Sequence, residues 1–287
     1  MSTEANTLSS QAKLLAEPLE HLINRGAIEV PMLPEVANKA LLLAQNPDSD
    51  ASEMAQLIQS DQSLAGHVMR IANSAAYTPM SNLVSLQQAI ARLGMGVISE
   101  VALTAAIGAR MFNTPGYEKY LAGIWHHALA TSLWSKEVAR HCRSNVEIAF
   151  LAGLLHSIGR PAILQTIIEL AKNEQVDLTE QDIHQLENTY CHRLSEAVVN
   201  SWNMPKLVIE AVSSYTDSNN SLATSAAAAH VNVGARFATY MLTPDKLDKE
   251  TLFSLPALTT LNFYQDEVDT LLSQTDAIKA RLKGLSS

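Results

Sequence analysis

The sequence predicts an all-α protein that folds as an irregular helical bundle. Apolar residues recur at steps of three and four along most of the chain, which is the spacing of one face of a helix. Val/Ile/Thr-rich runs of alternating polarity, which would indicate strands, are missing. The expected helices differ in length and in linker, so an irregular bundle is favoured over a solenoid.

Three amphipathic helices are expected in the first hundred residues. Helical spacing starts after Asp50, continues from Leu64 to Ala75 and resumes over 86–93. The third stretch ends at Gly94, a residue that can adopt the left-handed conformation that closes a helix. Asp50 or Ser52 is expected to cap the first helix, because a carboxylate or a hydroxyl can accept hydrogen bonds from the free backbone N–H groups of the first turn.

Two further helices are expected in the middle of the chain. The first has an apolar face that includes Leu121 and runs to about His141. The second, from Ile148 to His156, is apolar on every side. A helix of that kind must be buried, because it has no polar face to turn to water.

The C-terminal tail carries a narrow apolar seam on a 4-3 spacing, interrupted by Thr275. The seam consists of Tyr264, Val268, Leu271, Ile278 and Leu282. We expect this helix to fold back onto its own domain, because amphipathic stripes usually face a core. The alternative is a homodimer or partner contact through the C-terminal helix.

Composition and charge exclude several classes of protein. With 287 residues, 47% hydrophobic and 17% charged, the chain is expected to be globular. Its formal charge of −9 makes nucleic acid and anionic lipid poor partners. Two cysteines without C-x-x-C spacing indicate neither a disulfide framework nor a thiolate zinc site. Neither a secretion signal nor an apolar run of ~20 residues is present, so we expect a cytoplasmic protein without a membrane span.

Short strings occur in a specific order along the chain. In the first half they are Leu33-Pro34-Glu35-Val36-Ala37, Asn46-Pro47-Asp48, Ile58-Gln59-Ser60-Asp61, Ile71-Ala72-Asn73-Ser74 and Ala89-Ile90 with Leu93-Gly94. In the second half they are Trp125-His126-His127-Ala128, Gly153-Leu154-Leu155-His156-Ser157-Ile158-Gly159, Glu187 with His192 and Glu196, and Trp202-Asn203-Met204-Pro205. Together they resemble the HD-related output domain, HDOD, over about residues 20–240.

This resemblance implies a domain organisation. The HDOD domain would span 20–245, with an N-terminal helical subdomain (20–118) packed on an HD-like helical subdomain (119–245). Residues 1–19 would form an N-terminal segment, and residues 246–287 a C-terminal helical tail.

HDOD domains are similar to HD metal-dependent phosphohydrolases, which are named for a His-Asp pair at the metal. Here the pair reads His156-Ser157, and a neutral serine hydroxyl is a poor substitute for a carboxylate that balances the charge of the ion. The first histidine of the superfamily matches His127 best, although helical periodicity does not choose between His126 and His127. The last superfamily aspartate aligns with Asn232. Two degenerate positions, Ser157 and Asn232, therefore replace the carboxylates.

Three residual metal candidates are left, His127, His156 and His192. Three imidazoles and a water could hold a borderline cation such as zinc. Alternatively, the histidines are core residues whose ring nitrogens bond to protein groups. We favour this second interpretation and expect no metal, no other cofactor and no catalytic residues, because the identity and number of ligands must suit the metal.

A possible pocket is marked by Asn73 and His126. Asn73 stands at the end of an apolar helix, where its amide can hydrogen-bond to another segment or terminate the helix. We favour this structural role for Asn73, and a pocket lined by it is the minority interpretation.

The resemblance implies a non-enzymatic bacterial signal-transduction module that acts through contacts with signalling proteins. One alternative is a residual metal-dependent phosphohydrolase acting on a nucleotide or phosphorylated messenger. The other is a receptor for a small ligand such as a cyclic dinucleotide. P-loop, G-x-G-x-x-G and G-x-S-x-G strings are missing. The sequence therefore supports neither a nucleotide site formed by a glycine-rich loop nor the nucleophilic serine of a serine hydrolase.

Overall fold

The structure, a computed structural model, describes residues 9–77, 83–107, 111–214 and 225–286. Within these ranges the chain is built from helices joined by turns and short loops, and no β-strand occurs. The prediction of an all-α irregular bundle is therefore confirmed.

The first part of the bundle is formed by α2–α6. Here α2 packs on α6, while α3, α4 and α5 pack on one another and on α6. Asp50 caps α3 by accepting from the backbone N–H groups of Ser52 and Glu53, as predicted. Gly94, with φ +84°, ends α5 and starts α6. The helices up to this point are α1 (Ser10–Asn24), α2 (Glu35–Gln45), α3 (Ala51–Gln59), α4 (Gln62–Ala72), α5 (Leu86–Leu93) and α6 (Met95–Ala106).

The second part is organised around the long helix α7, which packs on both α8 and α12. α7 ends at His141, and the α8 residues from Ala149 to Leu155 are all buried, as the sequence predicted. The helices of this part are α7 (Glu118–His141), α8 (Val146–Leu155), α9 (Gly159–Glu174), α10 (Glu180–Ser201), α11 (Lys206–Ser214) and α12 (Ala226–Leu242).

The tail folds back onto this second part, as predicted. The seam was expected on one helix, but it is divided between two, Gln265–Leu272 and Thr275–Ser286. Four of the five seam residues are buried, and only Tyr264 is exposed, at 75%. Arg281 forms an ion pair with the buried Glu137 of α7 at 2.5 Å. The chain thus covers the apolar seam on which the alternative of a homodimer depended. A 3₁₀ turn at Pro244–Lys246 leads into α13 (Lys249–Phe253), α14 (Pro256–Thr260), α15 (Gln265–Leu272) and α16 (Thr275–Ser286).

The domain boundary expected at residue 20 falls inside α1. This helix packs on α9 and α10, and the hydroxyl of Tyr190 donates to the carbonyl of Ala16 at 3.3 Å. Its buried face, which includes Leu15 and Leu19, requires such a partner surface. By its contacts α1 thus belongs with the HD-like part. α7 starts at Glu118, next to the boundary expected between 118 and 119.

An ion pair links the two parts of the bundle. Lys136 of α7 bonds to Glu100 of α6 at 2.6 Å, with both side chains largely buried. Because a buried charge is costly when its partner is lost, this pair favours one relative placement of α6 and α7.

One apolar helical stretch, Val146–Glu174, passes a length and composition test for crossing a bilayer. It combines α8 and α9, and 78% of its most apolar window is buried inside the protein. The bent pair of α5 and α6 passes the same test only if the two helices are counted as one span. Burial of this extent is what a core helix shows.

Two glycines let α8 and α12 approach α7 closely. A Cβ atom at Gly153 would lie 2.8 Å from the Cα atom of Ser132, and one at Gly234 would lie 2.7 Å from the backbone nitrogen of Ser135. Neither position has room for a side chain unless a helix backbone moves.

The close approach of α12 to α7 predicts that Gly234→Ala lowers the free energy of unfolding. In an open helix, replacing glycine by alanine stabilises by about 0.5–1 kcal/mol. At Gly234 the added methyl group must push α12 away from α7, so we expect a net loss of about 1–3 kcal/mol in the free energy of unfolding. Urea denaturation measures both effects. The matched control is Gly66→Ala in α4, where a Cβ meets nothing within 4 Å. Stabilisation of both variants would contradict the tight contact.

Candidate functional site

The structure brings two of the three candidate histidines together. His127 projects from α7 and His156 caps the end of α8. Their ring centroids are 6.1 Å apart. The structure thus decides what periodicity left open: His127 faces the HD-type position, whereas its neighbour His126 is exposed.

His127 is hydrogen-bonded to α12. Its Nε2 atom lies 3.0 Å from the hydroxyl of Thr239. That hydroxyl donates its own hydrogen to the carbonyl of Ala235 at 2.9 Å, so it accepts from His127. The hydrogen of the neutral ring is therefore assigned to Nε2, and Nδ1 faces the Thr131 hydroxyl at 3.5 Å.

His156 is tied to its own helix. Its Nδ1 atom lies 2.7 Å from the carbonyl oxygen of Gly153. A carbonyl only accepts, so Nδ1 carries the hydrogen of the neutral ring. The ring is buried together with the neighbouring Ser157, which is 6% exposed.

Both rings are held in the neutral form. Burial, followed by the positive charge of Arg160, lowers the pKa of His127 to about 4. Burial and the neighbouring His127 lower the pKa of His156 to about 3, and Arg160 adds to this effect. Imidazoles in this environment are uncharged near pH 7.

Glu187 of α10 belongs to a second polar group, and like the histidine pair it is subject to the charge of Arg160. The hydroxyl of Tyr120 donates to Glu187 Oε2 at 2.7 Å and lies 3.1 Å from Nδ1 of His184. The side chain of Glu187 is fully buried, and its Oε1 has no hydrogen-bond partner among the described residues. Burial raises the pKa of Glu187 to about 7, although the Tyr120 hydrogen bond and the charge of Arg160 lower it.

The donor set does not fit a catalytic divalent cation. Across the described ranges, no group of three or more His, Cys, Asp or Glu side chains is arranged to hold a metal ion. His192, on α10, thus does not complete a three-ligand set with His127 and His156. Without a carboxylate the pair also lacks the negative charge that balances a divalent ion.

The other predicted positions lie on α12, at the end of α4 and at an exposed site of α7. Asn232 is on α12, seven residues before Thr239, which corresponds to about 10 Å along the helix axis. Asn73 ends α4, and its amide bonds in both directions to the backbone of Leu83, at 2.7 and 2.9 Å. That is the structural role the sequence favoured. His126 lines a cavity whose lining does not include Asn73.

Sequence reasoning missed three residues of this region. Arg160 follows His156 by four positions, and its charge acts on both histidines and on Glu187. Thr239 and Tyr120 supply hydroxyl groups from helices far apart in the chain. Only the spacing of Arg160 from His156 was visible in the sequence. The two hydroxyl residues belong to no motif.

The family follows from a comparison with known families. The model of the HDOD domain family matches residues 30–218, which is more than half of the chain. The chain belongs to the HDOD domain family. The resemblance stated from the short strings is thereby confirmed, and the histidine pair lies inside the matched HDOD region.

Two solved structures share this HDOD fold. One, named "Putative metal-dependent phosphohydrolase", is from Shewanella amazonensis SB2B; it has a TM-score of 0.74 and 20% identity, covering 96% of this chain and 100% of that chain. The other, named "Putative signal transduction protein", is from Marinobacter aquaeolei VT8; it has a TM-score of 0.67 and 22% identity, covering all of this chain and 69% of that chain. At these identities the likeness shows the fold and not the activity.

A curated relative is an uncharacterized protein of Treponema pallidum (strain Nichols). It is 22% identical over an alignment of 198 positions, and the alignment covers 64% of this chain. The aligned region spans 37% of the length of that relative.

The buried titratable groups predict a pH dependence with opposite signs. His127 and His156 bind protons less readily in the native state than in the unfolded state, where the ordinary pKa is 6.5. Their contribution to the free energy of unfolding is fully present above pH 6.5 and is lost as the pH falls towards 4. Glu187 has a raised pKa, so its contribution to the free energy of unfolding is fully present below pH 4.5 and is lost as the pH rises towards 7.

We therefore expect His156→Gln and Glu187→Gln to change the slope of stability against pH in opposite directions. Between pH 5 and 6.5, His156→Gln should lower the slope and Glu187→Gln should raise it, each by at most about 1.4 kcal/mol per pH unit. Urea denaturation at several pH values gives the slopes. A change of the same sign in both variants would show that the assigned protonation states are wrong.

Proposed function

We propose that this HDOD protein is a non-enzymatic regulatory module of bacterial signal transduction, which acts through contacts with signalling proteins. The observation that carries the proposal is the state of its histidine pair. Both rings are neutral and hydrogen-bonded inside the protein. A serine stands where the chemistry of the superfamily needs a carboxylate.

Electrostatics supports the loss of hydrolytic activity. A divalent cation activates water by lowering the pKa of that water, and the ion must first be held by ligands that offset its charge. Two neutral imidazoles offset none of the positive charge of the ion. The positive charge of Arg160, which lowers the pKa of both histidines, also opposes the entry of a cation.

The signalling role rests on the family and on the Marinobacter structure, whose name is that of a signal transduction protein. A net charge of −9 and two free cysteines suit a soluble partner in a reducing compartment, and we place the protein in the cytoplasm. Nucleic acid and membrane are not proposed as partners, because their negative charge would be repelled.

The second candidate function is a residual phosphohydrolase. The juxtaposed rings of His127 and His156 favour it, and the Shewanella structure bears the name of such an enzyme. In that case the two histidines would hold the ion with further ligands from solvent or substrate.

Metal analysis and an activity assay separate the two functions. Protein purified without added metal should contain well under one equivalent of Mn, Zn or Fe by mass spectrometry. It should also hydrolyse neither p-nitrophenyl phosphate nor cyclic dinucleotides with Mn²⁺, Zn²⁺ or Mg²⁺. Stoichiometric metal, with a turnover that His156→Ala abolishes, would establish the phosphohydrolase instead.

The variant Ser157→Asp provides a matched gain-of-function test. It restores the acidic partner of His156, so it should take up Mn²⁺ in equilibrium dialysis when the native protein does not. Ser157→Asn has nearly the same shape without the charge and should behave like the native protein. Equal uptake by both variants would mean that the lost carboxylate is not the reason for the lost metal.

A further inference from the structure

A cavity of about 600 Å³ lies on a different face of α7 from the histidine pair. We call it the α7 cavity. Its walls come from α4, α6, α7, α8 and the end of α16, and they include His67, Thr104, Trp125, His126, Leu154 and Leu285. The volume is within the range of pockets that bind small molecules, and walls with many apolar residues and a few polar groups are typical of them.

Two polar atoms in the walls of this cavity are left without partners. The indole N–H of Trp125 and the hydroxyl of Thr104 are buried and make no hydrogen bond to any described residue. Native proteins leave few buried polar groups unpaired, because each one costs free energy. Both residues line the α7 cavity, so unpaired polar groups are concentrated in its wall.

The mouth of the cavity is basic. A neighbouring hollow of about 350 Å³ shares His126 and Ser286 with the α7 cavity and is lined by Lys279 and Lys283. Neither lysine forms an ion pair with a residue that the structure describes. No Asp or Glu among the described residues lines either space, although the chain contains 29 acidic residues. The local potential therefore favours an anion in a protein whose net charge would repel one.

His67 adds a donor to the opposite wall. The guanidinium of Arg70 lies 2.7 Å from Nδ1 of His67, and arginine only donates. Nδ1 is therefore the acceptor of the ring, and Nε2 carries its hydrogen. The guanidinium also places a further positive charge next to the cavity.

We propose that the α7 cavity binds a small organic anion with a flat aromatic body. The body lies against the indole of Trp125 among the apolar side chains, and the anionic group lies at the mouth near His126, Lys279 and Lys283. Bound in this way, the ligand bridges α6, α7 and the C-terminal helix, so its binding stabilises the docked tail. The site goes beyond the proposed regulatory function, and it is separate from the histidine pair.

The first test compares two fluorescent probes that share one ring system. 8-Anilinonaphthalene-1-sulfonate carries an anionic group, and N-phenyl-1-naphthylamine lacks it. We expect the sulfonate to bind the native protein at one saturable site, about tenfold more tightly than the neutral probe. The double variant Lys279→Gln/Lys283→Gln should weaken the sulfonate about tenfold and leave the neutral probe unchanged. The double variant Lys119→Gln/Lys172→Gln, at exposed sites elsewhere, should change neither affinity.

The second test fills the cavity without weakening the fold. Gly123 lines the cavity in the second turn of α7, and a Cβ there meets nothing within 4 Å. Leucine is also a better helix former than glycine, so Gly123→Leu should keep or raise the melting temperature while it abolishes sulfonate binding. The matched control is Gly66→Leu, an equally open helical site that does not line the cavity, and it should bind the sulfonate like the native protein.

Two results would overturn the proposal. Native-like binding of the sulfonate to Gly123→Leu would show that the probe binds outside the α7 cavity. Equal affinities for the charged and the neutral probe would show that the site does not recognise the anionic group. These outcomes are independent of the metal and turnover measurements, because the probes require neither. A failure of this inference is thus distinguishable from a failure of the proposed function.

Discussion

The close approach of three helices is the constraint on which the second part of this protein depends. Gly153 and Gly234 bring α8 and α12 onto the serine-lined face of α7 with no room for a side chain at either glycine. This approach places His156 beside His127 and Thr239 within hydrogen-bond distance of His127. Larger residues at the two glycines would separate the same groups, so packing and the polar site cannot vary independently.

Burial then decides what the histidines can do. In a hydrolase of this superfamily, carboxylates and a bound cation would offset the cost of an enclosed polar site. Here the carboxylate position is Ser157, and the rings are satisfied by Thr239 and a backbone carbonyl. The charge of Arg160 keeps both rings neutral and disfavours a cation. In the regulatory function that we propose, this pair is a hydrogen-bonded part of the core and not a catalytic site.

α7 separates two environments that differ in charge and in openness. One face holds His127 of the neutral histidine pair. His126 and Trp125, which lie about 100° and 160° around the helix from His127, line an open cavity with a basic mouth. The end of the C-terminal helix forms part of that mouth. The tail is therefore a wall of the cavity as well as a cover for the apolar surface of α7, which gives a bound molecule a direct way to change how the tail is held.

Local patterns in the sequence were sufficient for the helical class, a side-chain cap at the start of α3, the end of α7 at His141, the burial of α8 and the family. Each depends on residues close together in the chain, where periodicity and backbone geometry act. Which histidine faces His156, the role of Arg160, the partner Thr239, the place of α1 and the cavity beside His126 were decided only by the tertiary structure. They depend on distances between helices far apart in sequence, and those distances are set by packing, which no local pattern records.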